Sequence, residues 1–325
     1  MSPSHFVKSA VVLVVLACAA CDSPRSASTS DASVDAGGSD AASRADLGMP
    51  TEQRISASIG PIHASPGEEN TVCVTLRLSN ATPVRIKAIR THINAGSHHM
   101  ILHKSDATEE SLTPTPCRPF IDFDATSSPL FIAQQPETAL EFPPGVAYAL
   151  GARQMVRIEL HYVAYLATDV DVVGSVDLVL AADGERPIDA DLLFWGNADI
   201  SLAPHAEGVV EKFFVAPTPT RISPDPVTLF ALTSHTHARG ELATIEWTTS
   251  MTAPGELLHE STSWAEPPLT ILETPRTFAS GEGLRLRCQY FNDTDATIGF
   301  GEDFDQEMCF LWGYYYPSQG FLLAF

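Results

Sequence analysis

Apolar residues recur at every second position along most of this chain, and this alternation limits the possible folds more than any other feature. Clear examples are residues 71–78, 154–163 and 284–290. Such a pattern places the apolar side chains on one face of a β-strand. Turn signals such as Ser65-Pro66-Gly67 and Pro143-Pro144-Gly145 separate the runs, and no window has a sustained helical stripe. The sequence predicts an all-β protein, most simply two antiparallel, jelly-roll-like β-sandwiches in tandem.

Residues 1–21 have the features of an export signal. Lys8 provides a positive start, and an apolar run from Ala10 to Ala20 follows it. This run is too short for a membrane span, which needs ~20 apolar residues. The ending Ala19-Ala20-Cys21 resembles a bacterial lipobox, which predicts lipidation at Cys21, with Cys18 as the alternative acceptor. An ordinary cleaved signal, in which these cysteines have no role, is the competing interpretation.

Residues 22–54 consist almost entirely of Ser, Ala, Asp, Gly and Thr and contain no aromatic residue. Such a segment buries too little apolar area to offset its ordering entropy, so we expect a disordered tether. The remainder divides near the turn at residues 183–187 into an N-terminal half, 55–187, and a C-terminal half, 188–325. The expected molecule is exported and lipid-anchored to a bacterial membrane, on its periplasmic or outer-membrane side.

Four cysteines lie in the two halves, at positions 73, 117, 288 and 309. An exported compartment permits disulfides, and an even number of cysteines favours them. Two cysteines in each half predict the pairs Cys73–Cys117 and Cys288–Cys309. A zinc site with four cysteine ligands is less favoured because no Cys-x-x-Cys spacing occurs.

The chain is strongly acidic, with 40 Asp and Glu residues against 19 Lys and Arg residues and a formal net charge of −21. Proteins that bind nucleic acid over a broad surface neutralise phosphates with Lys and Arg. The charge balance therefore excludes that class, and we expect no nucleic-acid partner.

Histidines are the candidate metal ligands. In His235-Thr236-His237 the two imidazoles are two residues apart, so a strand presents them on one face. His98 and His99 are adjacent, and they reach one ion only if the backbone bulges there. His161 lies on the polar face of its strand, which the alternation predicts to point away from the core. The other five histidines of the two halves are interpreted as structural or surface residues: His63, His92, His103, His205 and His259. Two of them, His92 and His103, are also candidates for residues that contact the metal ligands without binding the metal.

Four motifs occur in one order along the chain and carry a family resemblance. They are His98-His99-Met100, Leu160-His161-Tyr162, His235-Thr236-His237-x-x-Gly240, and Glu307-Met308-Cys309 with Tyr314-Tyr315-Tyr316-Pro317 after it. Their order and spacing resemble the type II copper, ascorbate-dependent monooxygenases, the family of peptidylglycine α-hydroxylating monooxygenase and dopamine β-monooxygenase. The resemblance covers the chain from about residue 60 to the C-terminus, and the positions of the four cysteines agree with it.

The resemblance implies two copper ions per chain, one in each half. The ligands of the first would be His98, His99 and His161, and those of the second would be His235, His237 and Met308. Imidazole suits both copper oxidation states, and a thioether favours Cu(I). The implied reaction is hydroxylation of a C–H bond at the second copper, with O2 and ascorbate or another one-electron donor.

The substrate is not expected to be peptidylglycine. The peptide-amidating member has an arginine, an asparagine and a tyrosine at positions where this chain has Thr233, Phe310 and Trp312. These residues offer no cation for a substrate carboxylate. We therefore expect a small or medium, largely apolar substrate, no acidic amine-binding group, and a monomeric protein.

Two other classes of function remain open. One is a non-catalytic copper-binding or electron-transfer lipoprotein with the same fold, which needs no open coordination position beside a substrate pocket at Met308. The other is a zinc-bound structural or hydrolytic protein that uses the same histidines and gives Met308 no role.

Overall fold

The computed structural model describes residues 52–120, 127–164, 166–182, 184, 186–219 and 225–325. Every regular element in these ranges is a β-strand, which confirms the all-β class. Within the same ranges, no helix has the length and apolar character that crossing a membrane requires. The predicted signal, the lipidation residue Cys21 and the tether up to residue 51 lie outside the described residues, as do Asp183 and Glu185 of the predicted boundary turn.

The first eleven strands lie between residues 54 and 189. They are β1 (Arg54–Ala64), β2 (Glu69–Arg77), β3 (Val84–Ile93), β4 (Ser97–Ser105), β5 (Ser111–Pro116), β6 (Ser127–Ala133), β7 (Glu137–Glu141), β8 (Val146–Leu150), β9 (Met155–Val163), β10 (Val170–Leu180) and β11 (Ile188–Asp189). Strand β1 begins at Arg54, the residue predicted to end the tether. Order therefore starts slightly earlier than the sequence indicates.

The remaining eleven strands lie between residues 191 and 324. They are β12 (Asp191–Gly196), β13 (Ser201–Leu202), β14 (Ala206–Val215), β15 (Thr228–His235), β16 (Gly240–Thr248), β17 (Glu256–Ser261), β18 (Thr270–Thr277), β19 (Gly283–Asn292), β20 (Ile298–Gly299), β21 (Phe310–Tyr316) and β22 (Leu322–Ala324).

The strands form several sheets, and every sheet but one draws its strands from a single half of the chain. The N-terminal half has one sheet in the order β1-β10-β3-β8, with β7 also on β3 and β11 of the C-terminal half added beside β8, and a second in the order β5-β2-β9-β4-β6. The C-terminal half has sheets in the orders β18-β15-β21-β12-β22 and β14-β19-β16-β17, with a short pair β13-β20. Among the described strands, one short ladder joins the two halves: β11, the first strand of the C-terminal half, pairs in parallel with β8.

The two halves also share a hydrophobic core. One core cluster combines N-terminal residues with Phe230, Trp312 and Tyr314 of the C-terminal half. The Ile132 amide donates to the Tyr314 hydroxyl across this boundary, at 3.3 Å. A second cluster fills the interior of the C-terminal half. Strands β9 and β15 are consequently buried on both faces, and the segments that carry the histidines meet inside the protein.

Both predicted disulfides are confirmed. Cys73 pairs with Cys117 across 44 residues, and Cys288 pairs with Cys309 across 21 residues. In the chain-entropy model each closed loop stabilises the fold by about 3–4 kcal/mol. The second disulfide also fixes the residue next to Met308 to strand β19.

Candidate metal centre

The backbone is irregular at the adjacent histidines, which is the condition for both of them to reach one ion. The register of β4 against β9 shifts between Ser97 and His99. The shift allows both imidazoles to reach the same region, with His98 and His99 ring centroids 5.2 Å apart. Both side chains are buried.

His161 lies directly opposite His99 in the β4–β9 ladder. The His161 Nδ1 atom is 3.3 Å from His99 Nε2. The expectation that the polar face of this strand points away from the core is wrong, since His161 is only 2% exposed. Glu159, on the same face, is fully buried as well. The second half of the chain packs near this face, which the alternation within one strand does not reveal.

His235 and His237 lie at the end of β15, with their ring centroids 5.3 Å apart. The His235 Nδ1–H donates to Gln134 Oε1 at 2.6 Å. The His237 Nδ1–H donates to the Gln306 carbonyl oxygen at 3.1 Å. Because both partners are acceptors, each Nδ1 carries the proton and each Nε2 keeps its lone pair. Outer hydrogen bonds of this kind orient histidine ligands in metal sites.

The structure brings all five predicted histidines into one buried cluster. His98, from the N-terminal half, is 5.5 Å from His235 and 6.0 Å from His237 between ring centroids. His98, His235 and His237 each offer a nitrogen within 4.8 Å of the others. The Nε2 atoms of these three residues are buried and have no hydrogen-bond partner. Such orphaned acceptors are costly in a protein interior, and a metal ion would satisfy them.

This three-histidine group takes one member from the predicted first copper site and two from the predicted second. The histidines therefore fit a metal ion, and one candidate position lies between the two halves. The division into two separate ligand sets stays a prediction.

Glu307 holds the segment that carries His237. Its fully buried carboxylate accepts from the His237 amide at 3.0 Å and from the Arg239 amide at 2.7 Å. Burial raises the pKa of Glu307 to about 7, against the opposing effect of these amide hydrogen bonds. The next residue, Met308, is 2% exposed, and its carbonyl oxygen accepts from the Tyr290 hydroxyl at 2.6 Å. Met308 is thus fixed beside the histidine segment, with its side chain in the shared core.

Burial also determines the protonation of the histidines. Desolvation, followed by the neighbouring imidazoles, holds the pKa values of His98, His99 and His235 well below the ordinary value of 6.5. The same causes lower the pKa of His237 to about 4. Neutral imidazole is the form that binds metal ions. At neutral pH these histidines are therefore already in the metal-binding form.

Acidification of the metal-free protein should therefore destabilise it. Below pH 6.5 these histidines bind protons in the unfolded chain but stay neutral in the folded chain. The free energy of unfolding therefore falls as the pH drops from 6.5 towards 4. Each such histidine contributes a slope of about 1.4 kcal/mol per pH unit. Burial raises the pKa values of Glu307, Glu302 and Asp191, which act in the opposite direction. These three groups stand against five histidines once His259, whose pKa burial lowers to about 4, is included. Urea midpoints at pH 6.5, 5.5 and 4.5 check this, and a flat profile would contradict the burial of neutral histidines.

The glycine of the His-x-His-x-x-Gly motif has a steric role. The Gly240 amide donates to the His237 carbonyl oxygen at 2.9 Å and closes a turn directly after the His235 and His237 pair. A Cβ at position 240 would lie 2.7 Å from Thr236 Cβ and would also collide with Thr236 Oγ1. Only glycine lets the chain return this closely to the histidine segment.

Gly240→Ala should consequently displace the His237 segment. We expect a loss of about 1–3 kcal/mol in unfolding free energy, as for other overpacked sites, together with weaker metal binding. Gly299→Ala is the matched control, because a Cβ there would meet only the Ile200 carbonyl oxygen at 3.7 Å. Equal metal affinity in the two variants would show that the close approach at Gly240 does not position His237.

An acidic pocket that the sequence analysis did not identify lies beside His161. Glu69 Oε1 is 3.0 Å from His161 Nε2 and also accepts from the Phe304 amide of the C-terminal half at 3.0 Å. Hydrogen bonding from His161 lowers the pKa of Glu69. Glu69, Glu302 and Asp303 line a pocket of about 240 Å³ with His161. These carboxylates lie beside His161, and the expectation that no acidic group binds a substrate amine stays a prediction.

Aromatic residues enclose the histidine cluster. The Phe120 ring is 5.1 Å from His99 and 5.6 Å from His235, and Trp264 is 5.6 Å from His98. The three residues that argue against peptidylglycine, Thr233, Phe310 and Trp312, are almost completely buried. Phe310 and Trp312 pack on Phe194, with centroid distances of 4.8 Å and 4.4 Å.

The other histidines have partners away from the cluster. His63, His92 and His205 form exposed pairs with acidic residues, and His259 is buried between Ser234 and Thr270. His103 Nε2 is 3.4 Å from the carboxylate of Glu159. Of the two possible outer neighbours, His103 lies on the strand that carries His98 and His99, whereas His92 is a surface residue.

Comparison with known proteins gives one informative match. No curated protein sequence matches the chain. The major capsid protein P2 of Bacteriophage PM2 is 11% identical with a TM-score of 0.31, and the alignment covers 83% of this chain and 100% of that one. The infectious bursal disease virus Gx strain structure is 8% identical with a TM-score of 0.16, covering 83% and 73%. Neither score supports an argument. Residues 199–323, which include His235, His237 and Met308, match the family model of the copper type II ascorbate-dependent monooxygenase C-terminal domain.

Proposed function

We propose that this protein is a copper-dependent monooxygenase that hydroxylates a C–H bond with O2 and a one-electron donor such as ascorbate. The observation that carries the proposal is the buried histidine cluster, in which His98, His235 and His237 each offer a ring nitrogen within 4.8 Å of the others and their Nε2 atoms have no hydrogen-bond partner. Two of these residues lie in the segment that matches the copper monooxygenase domain. Copper held there would supply O2 activation and electron transfer.

The roles of the ligands follow the family resemblance. In this proposal His98, His99 and His161 hold one copper, and His235, His237 and Met308 hold the copper at which substrate reacts. The residues of the chain fix the unprotonated nitrogens, keep bulk water away from them and surround them with aromatic side chains. Glu307 and Gly240 hold the His237 turn in place for this purpose.

The wider setting is also part of the proposal. The two halves would be tandem jelly-roll-like sandwiches, residues 55–187 and 188–325, behind a signal at 1–21 and a tether at 22–54. Lipidation at Cys21 would anchor a monomer to a bacterial membrane after export. The partners would be O2 and a small or medium, largely apolar substrate.

Oxygen consumption tests the proposed reaction. The copper-loaded protein should consume O2 with ascorbate, and an apolar C–H compound should raise this rate and appear as its hydroxylated product. Thr233, Phe310 and Trp312 predict no preference for glycine-extended peptides, because none of them offers a cation. Preference for such peptides would contradict the substrate class, and absence of ascorbate-driven O2 consumption would contradict the reaction.

One observation favours a second candidate, a non-catalytic copper-binding or electron-transfer lipoprotein. Met308, Phe310 and Trp312 are each no more than 2% exposed, so their side chains are packed against protein. Such a protein would bind copper and exchange electrons with ascorbate under argon. It would form no hydroxylated product in air.

A further inference from the structure

Gln134 links the two halves at the histidine cluster. It follows β6 of the N-terminal half and is 4% exposed. Its side chain makes three hydrogen bonds, all to residues of the C-terminal half: Nε2 donates to Thr233 Oγ1 at 3.1 Å and to the Ser234 carbonyl oxygen at 2.9 Å, and Oε1 accepts from His235 Nδ1 at 2.6 Å.

The network determines which end of the Gln134 amide faces His235. The Ser234 carbonyl oxygen can only accept, so the amide NH2 must point towards it. The amide oxygen then faces His235, and His235 must donate from Nδ1. This tautomer leaves the lone pair on Nε2, a buried atom that has no hydrogen-bond partner.

The second ligand of the pair is held differently. His237 Nδ1 donates to the main-chain carbonyl of Gln306, which belongs to its own half. His237 is therefore oriented by the C-terminal half alone. His235 receives its orientation from a side chain of the other half.

We infer that Gln134 is a positioning residue that fixes the tautomer of His235 across the boundary between the halves, so that metal affinity at His235 depends on their contact. This inference rests on the proposed function in taking copper as the ion. Loss of an outer hydrogen-bond partner of a metal-bound histidine costs about 10–100-fold in metal affinity. By thermodynamic linkage, a metal ion bound at His235 favours the contact that Gln134 makes between the halves by the same 10–100-fold factor.

Two measurements on the full chain test the inference, with Gln134→Met as the main variant. Methionine has a similar length and no hydrogen-bonding amide, so it removes the contact with little change in volume. Gln134→Glu is the second variant: its carboxylate still accepts from His235 Nδ1, but it loses the donor to the Ser234 carbonyl oxygen. Gln135→Met, at the neighbouring and less buried position, is the matched control.

The first measurement is the tautomer of His235 in the metal-free protein, read from the ¹⁵N shifts of labelled histidines. We expect the Nδ1–H form in the natural chain, in Gln134→Glu and in Gln135→Met, and a mixture of tautomers in Gln134→Met. The second is Cu(I) affinity by competition with a chromophoric chelator without oxygen. We expect a 10–100-fold loss in Gln134→Met, and a smaller loss in Gln134→Glu.

An unchanged His235 tautomer in Gln134→Met would overturn the inference, as would Cu(I) affinity equal to that of Gln135→Met. If Gln134→Met does not fold, a tautomer mixture in the folded Gln134→Glu variant would overturn it. A natural chain with the Nδ1–H form that binds no copper would contradict the proposed copper function and support the role of Gln134 in orienting His235.

Discussion

Replacement of Met308 by leucine should abolish ascorbate-driven oxygen consumption while the chain stays folded. Met308 is 2% exposed and packed in the shared core, and leucine nearly conserves its volume. Volume-conserving exchanges in cores usually cost less than about 1.5 kcal/mol. The thioether, however, is the soft ligand that favours Cu(I), and leucine has no donor atom. We expect activity to fall by more than the ~100-fold that loss of an outer hydrogen-bond partner costs.

Met155→Leu is the control for this experiment. Met155 is a buried methionine of strand β9, 4% exposed, and no motif assigns it to a metal. Oxygen consumption and unfolding free energy are measured for both variants. If Met308→Leu consumed oxygen as fast as Met155→Leu, Met308 would be an ordinary core residue and the assignment of the second site would be wrong.

Glu307→Gln should weaken both the fold and metal binding. The carboxylate of Glu307 accepts two main-chain amides with two oxygens, from His237 and Arg239. An amide side chain has one oxygen, so one buried N–H would face an NH2 group and lose its partner. A buried donor without a partner costs about 1–3 kcal/mol. Because the same amide hydrogen bond orients the His237 segment, copper affinity at His235 and His237 should fall as well.

Glu273→Gln is the matched control, since Glu273 is an exposed residue of β18. Urea unfolding and Cu(I) competition are applied to both variants. Equal stability of the two variants would mean that the buried carboxylate does not support the His237 turn.

The strands and disulfides could be predicted because they depend on local signals. Alternation over residues 154–163 and 284–290 corresponds to β9 and β19, and each half contributes one pair of cysteines. Adjacent residues of a regular strand point to opposite faces, so the sequence could state a bulge at His98 and His99 as the condition for both to reach one ion. These inferences needed only neighbouring residues or a count of cysteines.

The environment of the site could not be predicted because it depends on how sheets pack. His161 is on the polar face of β9, and that pattern is typical of a face exposed to solvent. Here the other half of the chain packs nearby, and Glu69 of the N-terminal half accepts from Phe304 of the C-terminal half at the same place. Gln134 is 101 residues from His235 and has no motif around it. Contacts of this range have no signal in a single sequence.

The copper content of the purified protein tests the central claim most directly. Reconstitution with copper and removal of excess metal should leave two copper ions per chain, and His161→Ala should lose one of them. Metal analysis that finds one zinc ion and no copper in the natural chain would contradict the account, because the buried histidines would then serve a different metal and a different chemistry.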